Sequence, residues 1–186
     1  MKPGKIHIQS ILISWLPVAF IVILLGIFTY LVGQQILRQS ANDPQIELSE
    51  TVANSLSKAE KPNVPSNKVE ISKSLGLYVM IYNSQKKLLY STALLYGKNI
   101  KFPLGVLSSA QKTGQSRVTW QPAPGVRQAT VTTYFHGRQS GYVVVGKSLR
   151  ETEKRIDNLG IILGFTLTFG LLGSLFIATL TYLLKS

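Results

Sequence analysis

Residues Ile11–Val32 read ILISWLPVAFIVILLGIFTYLV, twenty-two positions without a charge. A second run, Leu159–Leu184, reads LGIILGFTLTFGLLGSLFIATLTYLL and is also uncharged over twenty-six. At about 1.5 Å of rise per residue these reach roughly 33 and 39 Å, against a hydrocarbon core of about 30 Å. Neither run has a polar face, so a helix buried in a water-soluble core is a poor account of either. Both are expected to span a membrane, the second with some tilt. Lys2, Lys5 and His7 give the first run a positive flank like that of a signal peptide. Its apolar stretch is longer than a signal peptide's, and Tyr30-Leu31-Val32-Gly33 has no small-x-small cleavage site, which favours an uncleaved anchor.

Between the runs lies enough chain for one domain in the 186 residues. The chain has no cysteine, which excludes disulfides, thiol nucleophiles, sulfur-ligated metals and lipidation on Cys. Its formal charge is +12, and from Ile71 to Arg150 there are eleven Lys or Arg and no Asp or Glu. Such a surface favours anions or anionic lipid. A nucleic-acid partner is not expected, since the domain is tethered beside membrane spans and carries no binding motif.

Along the domain, Asp43 is placed to cap a helix with Pro44 at its first position, running to about Ala59 with Leu48, Val52, Leu56 and Ala59 on one face. The alternative is one continuous helix from the membrane, kinked at Pro44. Lys61-Pro62-Asn63-Val64-Pro65-Ser66-Asn67 reads as a linker. From Leu75 the period changes to two: Leu77, Val79 and Ile81 alternate with Tyr78, Met80 and Tyr82, then Asn83-Ser84-Gln85-Lys86 turns the chain into Leu88–Thr92. A short helical or irregular stretch, Pro103–Lys112, precedes three more strands at Ser116–Gln121, Val126–Phe135 and Gly141–Lys147. The expected fold class is α+β: two transmembrane helices flanking a five-stranded antiparallel sheet with packed helices.

Ser148-Leu149-Arg150-Glu151 is a capping box that starts a helix able to run straight into the second span. Leu149, Thr152, Ile156, Leu159 and Leu163 follow it at heptad spacing. Gly160 and Gly164 form a GxxxG, continued by Gly170, Ser174 and Ala178, and small residues let membrane helices approach closely. The partner is either the first span or another copy, and self-association through Gly160 and Gly164 is expected.

The strand-rich region has no carboxylate and one histidine, His136, at a turn. It therefore offers neither an acid–base pair nor three metal ligands. No catalytic residue, metal or cofactor is expected, and the chain is not expected to be an enzyme. Tyr78, Tyr82, Tyr90, Tyr96, Trp120, Tyr134 and Tyr142 supply apolar walls with polar tips, and Arg117, Arg127 and Arg138 supply forked donors. From this set Arg127, Tyr78, Tyr82, Trp120 and Tyr134 are the candidate binding residues, for a small carboxylate or phosphate. Arg127 shares a strand face with Ala129 and Val131, where an arginine either snorkels to the edge or meets an anion.

The hairpin Leu77–Tyr82 turning to Leu88-Leu89-Tyr90-Ser91, together with Gly141–Lys147 passing into Ser148-Leu149-Arg150-Glu151, resembles the input half of bacterial two-component sensor histidine kinases. The resemblance implies an anchor at 11–33, a juxtamembrane helix at 34–60, a PAS-like extracytoplasmic sensor domain at 61–147, a signalling helix at 148–158 and a second anchor at 159–184. The first hairpin departs from similar sensors, which often carry Asp-Gly where this chain has Ser84-Gln85-Lys86. After Leu184 only Lys185 and Ser186 remain, with no HAMP linker, phosphoacceptor histidine or ATP-binding glycine boxes, so kinase activity is not implied. Basic residues at Arg38, Lys147, Arg150, Lys154 and Arg155 would draw the domain to the cytoplasmic side, but the positive-inside rule weakens for loops beyond about 60 residues. The resemblance implies a two-pass protein of the bacterial cytoplasmic membrane with its central domain outside. Two functions follow. One is a sensor that passes a ligand or envelope state through the second span to a separate kinase. The other is a non-catalytic membrane-anchored scaffold or accessory subunit binding an envelope protein or anionic surface.

Overall fold

The computed structural model describes residues 8–185, so Lys2, Lys5, His7 and Ser186 lie outside the described residues. The elements are α1 (Ile8–Ser40), α2 (Asp43–Ser57), β1 (Val69–Glu70), β2 (Tyr78–Asn83), β3 (Leu88–Ser91), β4 (Ala93–Leu95), β5 (Lys98–Asn99), α3 (Leu104–Thr113), β6 (Gln115–Ala123), β7 (Val126–Phe135), β8 (Gly141–Ser148) and α4 (Arg150–Lys185). They fall into two units, one of α1 to Leu37 with α4 from Lys154, the other of residues Arg38–Glu153.

In the helical unit, α1 and α4 are each long and apolar enough to cross a membrane. Large side chains from Ile8 to Ile36 and from Ile161 to Leu184 stand exposed. The two helices pack antiparallel along a seam where glycine meets bulk. A Cβ at Gly26 would lie 2.5 Å from Leu167, and one at Gly33 would lie 2.7 Å from Leu159. Trp15 Nε1 donates to Ser174 Oγ at 2.8 Å, which gives the indole an acceptor on the facing helix. The small residues of α4 thus divide. Gly160 and Gly170 face Tyr30 and Val22 of α1, whereas Gly164 has nothing within 4 Å of its would-be Cβ.

In the second unit a five-stranded antiparallel sheet runs β3-β2-β8-β7-β6. Residues paired across it share a face, since strand side chains alternate. Tyr78 pairs with Gly146 and Gly146 with Thr130. One face therefore carries Tyr78, Met80, Tyr82, Tyr142, Val144, Thr130, Thr132, Tyr134, Val118 and Trp120. It is covered by Ile71 just after β1, Ala93 of β4, Phe102 of the segment before α3, and Leu107 of α3. The opposite face carries Val79, Ile81, Phe135, Val143 and Val145, covered by Val52 and Ala53 of α2. Both sides of the Leu77–Tyr82 alternation are thus apolar because both faces are covered.

A second, three-stranded sheet, β1-β4-β5, with β1 parallel to β4, has no counterpart in the expected elements. Strands of two or three residues are too short to carry a period. The entry into α2 also differs from expectation: Asp43 is the first helical residue, Asn42 occupies the cap position without a side-chain cap bond, and Ala41-Asn42 form a turn after α1. The break thus falls two residues before Pro44. Asn42 O accepts from both Gln45 N and Ile46 N, which closes the first turn of α2 through backbone alone. At its other end, Ala59 adopts φ +59, with Glu60 N bonded to Ser55 O and Ala59 N to Leu56 O. That is a Schellman closure, usually made by glycine. The capping box is half realised: Ser148 ends β8, and its Oγ accepts Arg150 N at 3.3 Å.

One glycine in the sheet is required by packing. A Cβ at Gly146 would overlap the ring and hydroxyl of Tyr78, which lies across the strand beside it. Overpacking of this kind costs typically about 1–3 kcal/mol. Gly146→Ala should lower unfolding free energy by about 2 kcal/mol, and the loss should shrink in a Tyr78→Ala background, as read by chemical denaturation of a double-mutant cycle.

The helical seam gives a separate test. The chain has no cysteine, so Val22→Cys with Gly170→Cys should oxidise to an intrachain disulfide, because a Gly170 Cβ lies 3.7 Å from Val22 Cγ1. Gly26→Leu should cut the yield at least threefold and Gly164→Leu should leave it unchanged. Equal effects would mean the glycine–leucine seam does not hold the pair.

Candidate functional site

The four aromatic candidates come together on one face, and Arg127 does not join them. Tyr78 and Tyr82 are buried, and Trp120 and Tyr134 pack against the same cluster. Phe102 meets Trp120 edge-on with centroids 5.1 Å apart, and Tyr134 lies 5.3 Å from Tyr142. The rings form a filled core layer between sheet and cover. Their hydroxyls share that layer with the buried polar side chains of Gln128, Thr130 and Thr132. Tyr82 Oη accepts Phe102 N–H at 3.2 Å, and Tyr142 Oη donates to Gln111 Oε1 at 2.9 Å. Burial pushes all three phenols, Tyr78, Tyr82 and Tyr142, above their ordinary value. The Tyr78 hydroxyl and Thr132 Oγ1 are buried without a partner, and both are on this face. A buried hydroxyl left unpaired costs on the order of 1–3 kcal/mol.

Arg127 sits on the opposite face by register, about half exposed, and its guanidinium is paired with the Glu153 carboxylate in the first turn of α4. Of the two sequence alternatives, an edge position and an anion, it takes both, and the anion is this chain's own. Two further bonds act at the same place: Leu149 N donates to Arg127 O at 3.0 Å, and Arg150 Nη2 to Lys73 O at 2.8 Å. Three contacts therefore tie the start of α4 to the sheet and to the β1–β2 turn. Sequence reading missed Glu153 because its partner lies 26 positions away on a strand.

A groove of about 420 Å³ lies on the α2 side, at the end of the sheet away from α4. Glu50, Ala53, Asn54 and Ser57 of α2 line one wall, and Thr133–His136 the other. Glu50 Oε1 accepts from Gln115 Nε2 at 3.1 Å, and His136 Nδ1 is 3.0 Å from Ser140 Oγ. Of the sequence candidates only Tyr134 touches this groove. Glu50 and His136 are 86 positions apart, and no local pattern links them. Among the described residues no group of three or more His, Cys, Asp or Glu could hold a metal ion.

The cover over the aromatic face depends on one carboxylate. Glu70 in β1 accepts from Ser72 Oγ at 2.7 Å, Gly97 N at 2.8 Å and Tyr96 N at 3.0 Å. Tyr96 and Gly97 both have positive φ, so the acid fixes the tight β4–β5 turn. The Ser72 hydroxyl, followed by the Gly97 amide, holds the Glu70 carboxyl down at about 2.

No protein-family model matches the chain, and neither the curated proteins nor the solved structures give a match. Its class therefore rests on its own geometry: an α+β domain with a five-stranded antiparallel sheet, flanked in sequence by two helices able to cross a membrane.

Because the folded Glu70 carboxyl titrates below its ordinary value of 4.5, the stability it contributes is complete above that value and is lost as pH falls toward 2. Glu70→Gln should flatten the fall in melting temperature between pH 5 and pH 2 and lower stability at pH 7. A variant with the wild-type acid slope would show that Glu70 is not the titrating group.

Proposed function

We propose that the chain is a non-catalytic, membrane-bound input module in which a PAS-like domain senses a ligand or envelope state and passes it through α4 to a signalling partner such as a separate kinase. The supporting observation is the join itself. β8 ends at Ser148 and α4 begins at Arg150, with one residue between them. β8 is the central strand of the sheet, so a displacement of it reaches the first turn of α4 without a flexible linker to absorb it. The Arg127–Glu153 pair and the Arg150–Lys73 bond give that join an arrangement that can be held or released. A ligand acts on such a join only through different affinity for its two states.

In this reading the chain is a two-pass protein of the bacterial cytoplasmic membrane with its central domain outside. The aromatic layer holds the unpaired Tyr78 and Thr132 hydroxyls but is filled and covered, so a small ligand would act there only by displacing the cover. A membrane-anchored scaffold or accessory subunit is the second reading, and the domain's many surface cations favour it.

The two separate by epistasis. With a reporter kinase fused beyond α4, Arg127→Ala should shift basal output at least twofold, and exchange of the pair, Arg127→Glu with Glu153→Arg, should restore it. Two glycines inserted between Ser148 and Leu149 should make output insensitive to Arg127→Ala. The stability cost of losing a half-exposed pair is only about 0.2–1 kcal/mol, so unfolding does not mimic the effect. Unchanged output in every variant would reject transmission and leave the scaffold.

A further inference from the structure

The cations of the domain are unevenly placed. Asn83 and Phe135 both pair with Gly141, so the β2–β3 turn and the β7–β8 turn lie together at the end of the sheet away from α4. The end of α2 joins them, since Arg138 N donates to Ser57 O at 2.9 Å. So does the end of α3, since Tyr134 N donates to Gly114 O and Lys86 Nζ to Ser108 Oγ. Lys101 precedes Phe102, whose amide meets Tyr82 Oη at the same end. Lys58, Lys86, Lys87, Lys101, Lys112 and Arg138 thus gather there, against Glu50 and Glu60. At the opposite end Asp43, Glu47, Glu151 and Glu153 accompany Lys73, Arg127, Lys147 and Arg150, and the one ion pair among the described residues is found there.

We infer that this basic end is a docking surface for a linear polyanion with repeated phosphate groups. Its cations come from five separate segments of chain, and all but Lys86 are exposed. Most are lysines, mobile point charges rather than planar forks, so they suit a run of charges better than one bound anion. An interface with a folded protein would need apolar or aromatic anchors at its centre. Both turns here, Asn83–Lys87 and His136–Ser140, are polar throughout. A polymer can bridge cations on separate segments, and its release of counterions would make binding steeply salt-dependent. This inference is independent of the sensor reading, because it rests on charge placement within the domain alone.

The test uses the full chain in phosphatidylcholine nanodiscs, with inorganic polyphosphate as probe and orthophosphate at equal phosphate concentration as comparison. Polyphosphate should bind and orthophosphate should not compete. The triple variant Lys87→Ala, Lys112→Ala, Arg138→Ala should weaken binding at least tenfold at 0.1 M salt and flatten its dependence on salt. Lys73→Ala, Lys98→Ala, Lys147→Ala removes equal charge elsewhere and should change affinity less than twofold. Lys87→Arg, Lys112→Arg, Arg138→Lys keeps the charge and should bind as the parent does, which separates charge from folding. Equal weakening by the two alanine triples, or full competition by orthophosphate, would overturn the inference. Capture by phosphatidylglycerol vesicles without polyphosphate binding would overturn it in favour of a lipid surface.

Discussion

The domain depends on covering both faces of two central strands. Five of the six residues of β2 and six of the eight of β8 are buried. Strand side chains alternate, so no single layer can shelter such a pair. α2 covers one face and α3, with the small β1-β4-β5 sheet, the other. Each covered apolar side chain contributes roughly 1.5–3 kcal/mol, and losing either cover would expose about half of them. This need explains why segments as irregular as residues 69–77 and 93–102 pack against the sheet, and why the Glu70 carboxylate is fixed on the tight β4–β5 turn.

The two faces differ in kind. The α3 side is filled with rings and hydroxyls: Tyr78, Tyr82, Tyr134, Tyr142, Thr130 and Thr132. The α2 side is aliphatic toward the end of the helix and polar toward its start, where Gln45 Nε2 reaches Ala41 O at 2.8 Å and Ala129 O at 3.4 Å, and Ser49 Oγ lies 2.8 Å from Thr133 Oγ1. Hydrogen bonds of this sort fix register more than they add stability, since each replaces a bond to water and nets about 1 kcal/mol. Gly146 belongs to the same logic. Tyr78 can lie flat across β8 only where the strand has no side chain, which sets one ring and one glycine as a matched pair.

Periodicity explains which parts were legible. Both long helices follow from uncharged runs, and the five strands of the main sheet from period-two alternation and turn residues. What escaped has no local signature. β1, β4 and β5 are too short for a period, and the start of α2 shifted because Asn42 supplies a carbonyl rather than a side-chain cap. For the site, the aromatic residues were correctly placed on strands, but composition alone does not reveal that Arg127 lies on the other face or that its anion is Glu153. Nor does it reveal the groove between Glu50 and His136, which exists only once α2 is laid on β7.

β7 connects these observations. Its first residues hold two helices at once: Arg127 takes Glu153 and the Leu149 amide at the start of α4, and Ala129 O takes Gln45 near the start of α2. Arg127 and Ala129 point to the same face, two residues apart on one strand. The segment arriving in the domain and the segment leaving it are therefore held by adjacent positions of one rigid strand. The first contact is a half-exposed ion pair and the second a long amide bond from a glutamine whose Oε1 has no partner. Both are weak next to the buried strand pairs beside them, β7 with β8 and β8 with β2. The hold on α2 is completed by Val52 and Ala53, buried against the sheet, whereas the start of α4 is held at Arg127 by a half-exposed ion pair and one backbone bond, so of the two helices it is α4 that β7 holds more lightly.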